Sequence, residues 1–228
     1  MSELLENIEI ETGRNPAASV IWMHGLGADG NDFVPIVREL DLTGLDPIRF
    51  IFPHAPMRPV TINNGYVMRA WYDVSYGDLE GRSKRADETG VRASQIEIAR
   101  LADREVARGI STRRIVLAGF SQGGAIALQT GLRYPQPLAG IMALSTYLPC
   151  AESLSTEAVP ANAKASVFMA HGTDDQVLPY AMGANSCQFL GKLGYDVEWH
   201  EYAMPHSVCV EEVRDIAAWL RKTLKQAT

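Results

Sequence analysis

The stretch LAGFSQGG, residues 117–124, joins an apolar run to a helical pattern. The β-branched segment RRIV precedes it, and the helix-forming segment AIALQTGLRY follows it. Gly119, Ser121 and Gly123 form a G-x-S-x-G pattern, in which the two glycines allow a strand to turn sharply into a helix. The pattern predicts that Ser121 stands at this turn with its hydroxyl exposed. A glycine-rich turn with an incidental serine would have the same sequence, so the context has to distinguish the two interpretations.

Apolar runs and helical patterns alternate on both sides of this turn. Candidate strands occupy residues 8–12, 19–23, 48–53, 113–119, 138–145, 165–170 and 196–202. Candidate helices occupy residues 32–40, 91–108, 122–134, 180–193 and 213–224. Most of the strands are continuously apolar, which is typical of buried parallel strands, whereas the last one alternates as an edge strand would. The alternation predicts the α/β class, with a doubly wound, mostly parallel sheet, helices on both faces, and one domain spanning residues 1–228.

One long segment, residues 54–88, fits no regular element. It contains prolines, asparagines, glycines and several aromatic residues. A loop of this length inside a compact domain is usually functional or disordered, and the aromatic residues argue against disorder. We expect this segment to wrap over the end of the sheet where ligands bind in doubly wound folds.

Composition and charge restrict the class of protein. Hydrophobic residues make up 46% and charged residues 21% of the chain, as in a globular protein, and the net charge of −6 argues against nucleic acid or an anionic membrane as a partner. No apolar stretch approaches the roughly 20 residues that a transmembrane helix needs. The acidic N-terminus MSELLENIEIE does not resemble a secretory signal.

Three dispersed cysteines, Cys150, Cys187 and Cys209, favour a reducing compartment, so we expect a cytoplasmic protein.

A nucleophilic serine needs a base and an acid that orients the base. In sheets of this kind the three groups follow in the order Ser, Asp or Glu, His. The segment FMAHGTDDQVLP, residues 168–179, offers Asp174 and Asp175 just after a predicted strand. The segment YAMPHSV, residues 202–208, offers His206 after the next strand. The candidates all lie at carboxyl ends of strands in the expected order, and the residues alone leave open which aspartate is the acid.

The apolar strand before His-Gly-Leu-Gly, residues 24–27, indicates a second functional loop. A tetrahedral intermediate needs two N–H donors, one from the residue after the nucleophile and one from the loop after an early strand. These donors are the backbone N–H groups of Gln122 and Leu26. The side chain of Leu26 is then free to line an acyl pocket. A phosphate-binding glycine loop is the alternative, but the segment has neither the G-x-G-x-x-G spacing nor a P-loop lysine.

Five stretches cover nearly the whole chain in a familiar order: WMHGLGADGNDF, PHAPMRPVTINNGYVMRAWYD, GFSQGGAIALQTGLRYPQPLAGIMALSTYLP, HGTDDQVLP and MPHSV. Together they resemble the acyl-protein thioesterase and small carboxylesterase family of α/β-hydrolases. The resemblance implies an α/β-hydrolase fold without a separate lid domain, and it implies no metal or other cofactor. It also implies a triad of Ser121, Asp175 and His206, with an oxyanion hole from Leu26 and Gln122.

The same resemblance suggests substrate-binding residues. Trp71 and Tyr72 are expected to contact the acyl or alcohol part of the substrate, and Leu26 to line the pocket. Arg69 stands where similar sequences often have a small residue or proline. The sequence assigns Arg69 no role.

The motifs predict a serine carboxylesterase that hydrolyses carboxylic esters or thioesters through an acyl-serine intermediate, on small to medium acyl chains. An acyl-protein thioesterase or lysophospholipase acting on long-chain lipids is the alternative with the same chemistry. A third reading, an α/β-hydrolase that only binds ligands, would require a broken triad, and all three members are present here. The expected partner is a small-molecule or lipid ester, and a homodimer is common among similar proteins.

Overall fold

Nine strands occur among residues 3–79 and 87–226, which are the residues that the computed structural model describes. They are β1 (Asn7–Glu11), β2 (Ala18–Met23), β3 (Ile48–Pro53), β4 (Met57–Val60), β5 (Tyr66–Arg69), β6 (Ile115–Phe120), β7 (Gly140–Leu144), β8 (Ser166–Gly172) and β9 (Val197–Tyr202). Seven of them form one sheet in the order β1-β3-β2-β6-β7-β8-β9, and β4 pairs with β5 separately. Only β1 runs antiparallel within the large sheet, so the predicted mostly parallel sheet is confirmed.

The position of each strand in the sheet explains its sequence pattern. Every residue of β2 and of β7 is buried, because helices cover both faces of these inner strands. The strand β9 lies at one edge and contains only partly buried and exposed residues, which accounts for its alternating sequence. The continuous apolar runs therefore identify the centre of the sheet correctly.

Helices pack on both faces of the sheet, as predicted. They are α1 (Ile36–Glu39), α2 (Tyr76–Leu79), α3 (Glu88–Ala107), α4 (Gln122–Gly131), α5 (Ala151–Glu157), α6 (Tyr180–Lys192) and α7 (Val210–Gln226). On one face Ile98 of α3, Leu128 of α4 and Leu190 of α6 belong to a single apolar core. On the other face Ile36 of α1 and Leu220 of α7 belong to a second core. Among the helices in the described part of the chain, none has the length and apolar composition that a bilayer crossing demands.

The helix predicted over residues 32–40 is shorter than expected and spans only Ile36–Glu39. Pro35 has no N–H group and cannot donate the hydrogen bond that an earlier helical turn would need. The chain before α1 forms turns instead, in which the N–H of Val34 donates to the carbonyl of Asn31 at 3.2 Å.

Residues 54–88 contain β4, β5 and α2, so the expectation of a segment without regular structure is wrong. The strand β4 could not be recognised from its sequence because it contains Pro59, and proline is usually absent from paired strands. Val60, Ala70 and Val74 form a small apolar core against which Leu26 packs. This contact places the segment beside the loop that follows β2, at the carboxyl end of the sheet, as expected. Residues 80–86 of the segment lie outside the described residues.

Glu105 ties α3 to two strands of the sheet. Its carboxylate is fully buried and accepts hydrogen bonds from the Ser19 hydroxyl of β2 at 2.8 Å and from the Arg49 guanidinium of β3 at 2.7 Å. Burial raises the pKa of Glu105, but the donors on Arg49 and Ser19 outweigh it and hold the pKa below the usual value. The carboxylate is therefore ionised at neutral pH and pairs with the partly buried guanidinium of Arg49.

We expect Glu105→Ala to lower the free energy of unfolding by about 1–3 kcal/mol, because the buried Ser19 hydroxyl loses its acceptor and Arg49 keeps only the more exposed carboxylates of Glu9 and Glu11. Chemical denaturation at neutral pH measures this loss. Glu97→Ala, which removes a partly exposed carboxylate paired with Arg100 on the same helix, should cost at most about 1 kcal/mol. Equal losses in the two variants would contradict the special role of Glu105.

Candidate active site

Ser121 occupies the turn between β6 and α4, where the sequence places it. Its backbone has φ 55° and ψ −122°, a left-handed region that costs free energy for a residue with a side chain. The N–H of Ser121 donates to the Leu144 carbonyl at 2.8 Å, and the Thr146 hydroxyl donates to the Ser121 carbonyl at 2.6 Å. These bonds from the end of β7 hold the strained turn in place.

Two glycines allow this turn because backbone segments approach closely on both sides of it. A Cβ atom on Gly119 would lie 2.3 Å from the carbonyl of Gly123. A Cβ atom on Gly123 would lie 2.3 Å from the carbonyl oxygen of Met23 at the end of β2. Neither position can carry a side chain without displacing backbone, so the G-x-S-x-G pattern has a steric cause here.

The structure brings His206 and Asp175 together. The Nδ1 atom of His206 lies 2.6 Å from Oδ2 of Asp175. The other carboxylate oxygen, Oδ1, accepts from the N–H groups of Val177 at 2.9 Å and Leu178 at 2.8 Å. Asp174 is exposed to solvent, whereas Asp175 is buried. Of the two aspartates that the sequence left open, Asp175 is therefore the one that contacts the histidine.

The loop that carries His206 is fixed against the nucleophile turn and against the acid loop. The rings of Phe120 and His206 lie 4.7 Å apart, and Phe120 immediately precedes Ser121. The N–H of Asp174 donates to the Met204 carbonyl at 3.2 Å. The three predicted residues thus lie at the same end of the sheet, after β6, β8 and β9.

The loop after β2 and the start of α4 both border the cleft that contains Ser121. Leu26 lines the cleft that contains Ser121, and Gly27 donates its N–H to the Arg69 carbonyl at 2.9 Å, which fixes the loop to β5. Gln122 is the first residue of α4, so its N–H has no partner within the helix. The N–H groups of Leu26 and Gln122 are the two donors that the sequence indicated.

The side chain of Gln122 has a separate role that the sequence analysis missed. Its Oε1 accepts from the N–H of Trp71 at 2.8 Å, and its Nε2 donates to the carbonyl of Tyr72 at 2.7 Å. Arg69, to which the sequence assigned no role, donates to the Ala55 carbonyl at 2.8 Å. The two Gln122 bonds hold the segment after β5 against the start of α4, and the Arg69 bond ties the end of β5 to the loop after β3.

The expectation that Trp71 contacts substrate is wrong. Its ring is fully buried, and its indole N–H donates to the His24 carbonyl at 2.9 Å, beneath the loop after β2. Trp71 therefore supports the loop that carries Leu26 instead of lining the cleft. Tyr72, the other residue expected to contact substrate, does line the cleft.

The cleft beside Ser121 has a volume of about 220 Å³ and a mostly apolar wall. This wall consists of Leu26, Ile62, Tyr72, Val74, Tyr147, Val177 and Leu178. Among these residues the sequence analysis named only Leu26 and Tyr72 as part of the pocket. Tyr147 could have been identified, because it follows a predicted strand and strand ends form the ligand site in this class of fold.

His24 supports the loop from below as a neutral imidazole. It is 1% exposed, its Nδ1 lies 2.7 Å from the Gly25 carbonyl oxygen, and its Nε2 accepts from the Ala55 N–H at 3.1 Å. Because Nε2 is an acceptor, Nδ1 carries the proton and donates to Gly25. Burial lowers the pKa of His24 to about 4, so the ring stays neutral at physiological pH.

A second buried histidine lies behind Asp175. The Nε2 atom of His171 donates to the Leu178 carbonyl at 2.9 Å and lies 3.3 Å from Oδ2 of Asp175. Burial lowers the pKa of His171, so a neutral N–H faces the carboxylate. The contact with Asp175 means that imidazoles flank the acid on two sides.

A parallel sheet with a serine at a strand-to-helix turn, and an Asp–His pair after two later strands, defines an α/β-hydrolase. The family model described as phospholipase/carboxylesterase matches residues 5–224, and the chain belongs to this family. The resemblance seen in the sequence is therefore confirmed, and the protein is a hydrolase of the esterase and thioesterase type.

Relatives and solved structures agree with this assignment. Acyl-protein thioesterase 1 of Mycosarcoma maydis is 40% identical, and the match covers 95% of each chain. Carboxylesterase SOBER1 of Arabidopsis thaliana is 33% identical over 90% of each chain. The crystal structure of SOBER1 superposes with a TM-score of 0.83 at 31% identity, covering 91% of this chain and 99% of that one. The crystal structure of Zea mays acyl-protein thioesterase 2 gives 0.82 at 29% identity, covering 96% and 99%.

The depressed pKa of His24 predicts an acid-sensitive stability. The pKa of His24 is about 4 in the folded protein and 6.5 in an unperturbed histidine, so between pH 4 and pH 6.5 the unfolded chain binds more protons than the folded one. The free energy of unfolding therefore falls as the pH falls through this range. Relative to His24→Asn, the wild type should lose roughly 3 kcal/mol of unfolding free energy between pH 6.5 and pH 4. Denaturant titrations of both proteins across this range measure the difference. Parallel pH profiles would show that His24 is not held neutral by the fold.

Proposed function

We propose that the protein is a serine carboxylesterase that hydrolyses carboxylic esters or thioesters through an acyl-serine intermediate, on small to medium acyl chains. One observation carries the proposal: Ser121 opens into an apolar cleft of about 220 Å³ at the start of α4, beside the ring of Phe120 that contacts His206. An apolar cleft suits an acyl group, and a serine at a helix start suits an oxyanion.

In the acylation step, His206 takes the proton from the Ser121 hydroxyl, and the Ser121 oxygen attacks the carbonyl carbon of the ester. Asp175 accepts from Nδ1 of His206, which leaves the Nε2 lone pair for the proton of Ser121. The positive charge that forms on the imidazole is stabilised by the same carboxylate. Val177 and Leu178 hold that carboxylate in a fixed orientation through their N–H groups.

The negative charge on the former carbonyl oxygen is stabilised by the N–H groups of Leu26 and Gln122. Each such donor contributes about 10²–10³ in kcat when it is preorganised. His206 then protonates the leaving alcohol or thiol. A water molecule, deprotonated by His206, attacks the acyl-serine, and the collapse of the second tetrahedral intermediate returns the proton to Ser121.

An acyl-protein thioesterase or lysophospholipase for long-chain substrates is the second candidate. It is favoured by the thioesterase name of the Mycosarcoma maydis relative at 40% identity. The chemistry at Ser121 is the same, so only the acyl chain and leaving group separate the candidates. The rates with p-nitrophenyl esters from acetate to dodecanoate, compared with S-acyl thioesters of the same acids, distinguish them.

We also propose a cytoplasmic location. Cys150, Cys187 and Cys209 are all free and partly buried, which suits a reducing compartment. A fractionation experiment with an antibody to the protein tests this proposal.

Replacement of the proposed catalytic residues tests the mechanism. Ser121→Ala and His206→Ala should lower kcat on p-nitrophenyl butyrate by about 10⁶, and Asp175→Asn by about 10⁴. Asp174→Asn is the matched control, because it makes the same change at the neighbouring exposed aspartate, and it should leave kcat unchanged. Steady-state kinetics and circular dichroism of each variant separate lost chemistry from lost fold. Loss of kcat in Asp174→Asn together with an unchanged kcat in Asp175→Asn would overturn the assignment of Asp175 as the residue that orients His206.

A further inference from the structure

Two tyrosines from distant parts of the chain meet at the inner end of the cleft. The hydroxyl oxygens of Tyr72, which follows β5, and Tyr147, which follows β7, lie 2.9 Å apart, within hydrogen-bond distance. Both side chains line the cleft beside Ser121. The pair is a polar contact within an otherwise mostly apolar wall.

The same two tyrosines also line a second, larger cavity of about 600 Å³. Leu148 and Met182 belong to its apolar lining, and Asp87 and Glu88 belong to its polar lining where α3 begins. Ser121 does not line it. Because Tyr72 and Tyr147 line both spaces and are bonded to each other, they form the partition between the apolar cleft and the acidic cavity.

Both tyrosines are held by their backbones. Tyr72 is 4% exposed, and its carbonyl accepts from the side chain of Gln122 at 2.7 Å. The residue after Tyr147, Leu148, donates its N–H to the Ser186 hydroxyl at 2.9 Å. Burial raises the pKa of Tyr72 well above its usual value and that of Tyr147 to about 12. Both phenols are therefore neutral at physiological pH, and the hydrogen bond between them persists across that range.

We propose that the Tyr72–Tyr147 pair is the end wall of the acyl pocket and that it restricts the enzyme to short acyl chains. This inference rests on the proposed esterase function. An acyl group on Ser121 extends along Leu26, Val74 and Leu178 until its end reaches the two phenols. A longer chain would have to break the hydrogen bond and enter the second cavity, where Asp87 and Glu88 belong to the lining. The wall therefore determines chain length and separates the apolar cleft from the acidic cavity.

The test is the ratio of kcat/KM for p-nitrophenyl dodecanoate to that for p-nitrophenyl butyrate. The wild type should prefer butyrate. Tyr147→Ala joins the two cavities and should raise the ratio by about ten-fold or more. One methylene group in an apolar pocket changes kcat/KM by roughly 10–200-fold, so an effect of this size is expected. Tyr147→Phe keeps the ring and should raise the ratio less than Tyr147→Ala does. Tyr66→Ala, at an exposed hairpin tyrosine that lines neither cavity, should leave the ratio unchanged.

The outcomes are distinguishable from a failure of the proposed function. If Tyr147→Ala still hydrolyses butyrate but has the wild-type ratio, the wall is not at Tyr147 and this inference is overturned while the esterase function stands. A wild type that prefers dodecanoate also overturns it. If the wild type is no faster than Ser121→Ala on every ester, the proposed function itself fails. If the Tyr147→Ala variant does not fold, Tyr147→Leu is used in its place. A purely structural effect of the substitution would lower kcat/KM for both esters without changing their ratio.

Discussion

Where β6 ends and α4 begins, backbone segments lie so close together that only a hydrogen atom fits at Gly119 and Gly123. The approach of Gly123 to the carbonyl of Met23 also fixes the end of β2 against the start of α4. The loop that carries Leu26 follows directly, so Leu26 and Gln122 border the same cleft as Ser121. The remaining parts of the site are positioned relative to this contact.

Gln122 connects this contact to the substrate pocket, because its main chain and its side chain do different things. Its backbone N–H has no partner within α4, while its side-chain amide bonds to both Trp71 and Tyr72. The short segment from Arg69 to Tyr72 therefore touches the loop after β2, the nucleophile helix and the pocket wall. A change in this segment would alter all three, which explains why a buried tryptophan lies so near a catalytic centre.

The sheet, its parallel order and the placement of Ser121, Asp175 and His206 after strand ends could be predicted, because each depends on patterns within a few residues. The hairpin of β4 and β5 could not be predicted, because its strands are only four residues long and one of them contains Pro59. The burial of Trp71 and the pairing of Tyr72 with Tyr147 could not either. They depend on contacts between residues far apart in the chain, and side-chain type alone does not distinguish a supporting aromatic ring from one that lines a cleft.

The catalytic candidates and one part of the pocket wall are carried by different kinds of segment. Ser121, Asp175 and His206 follow β6, β8 and β9, whose positions are fixed by pairing within the main sheet. Ile62 and Val74 lie on either side of β5, which pairs with β4 in a separate two-stranded sheet. Substitutions at these two positions reshape the cleft without touching the strands that carry the catalytic candidates. Evolution can therefore change the range of esters at this part of the wall while the reaction stays the same.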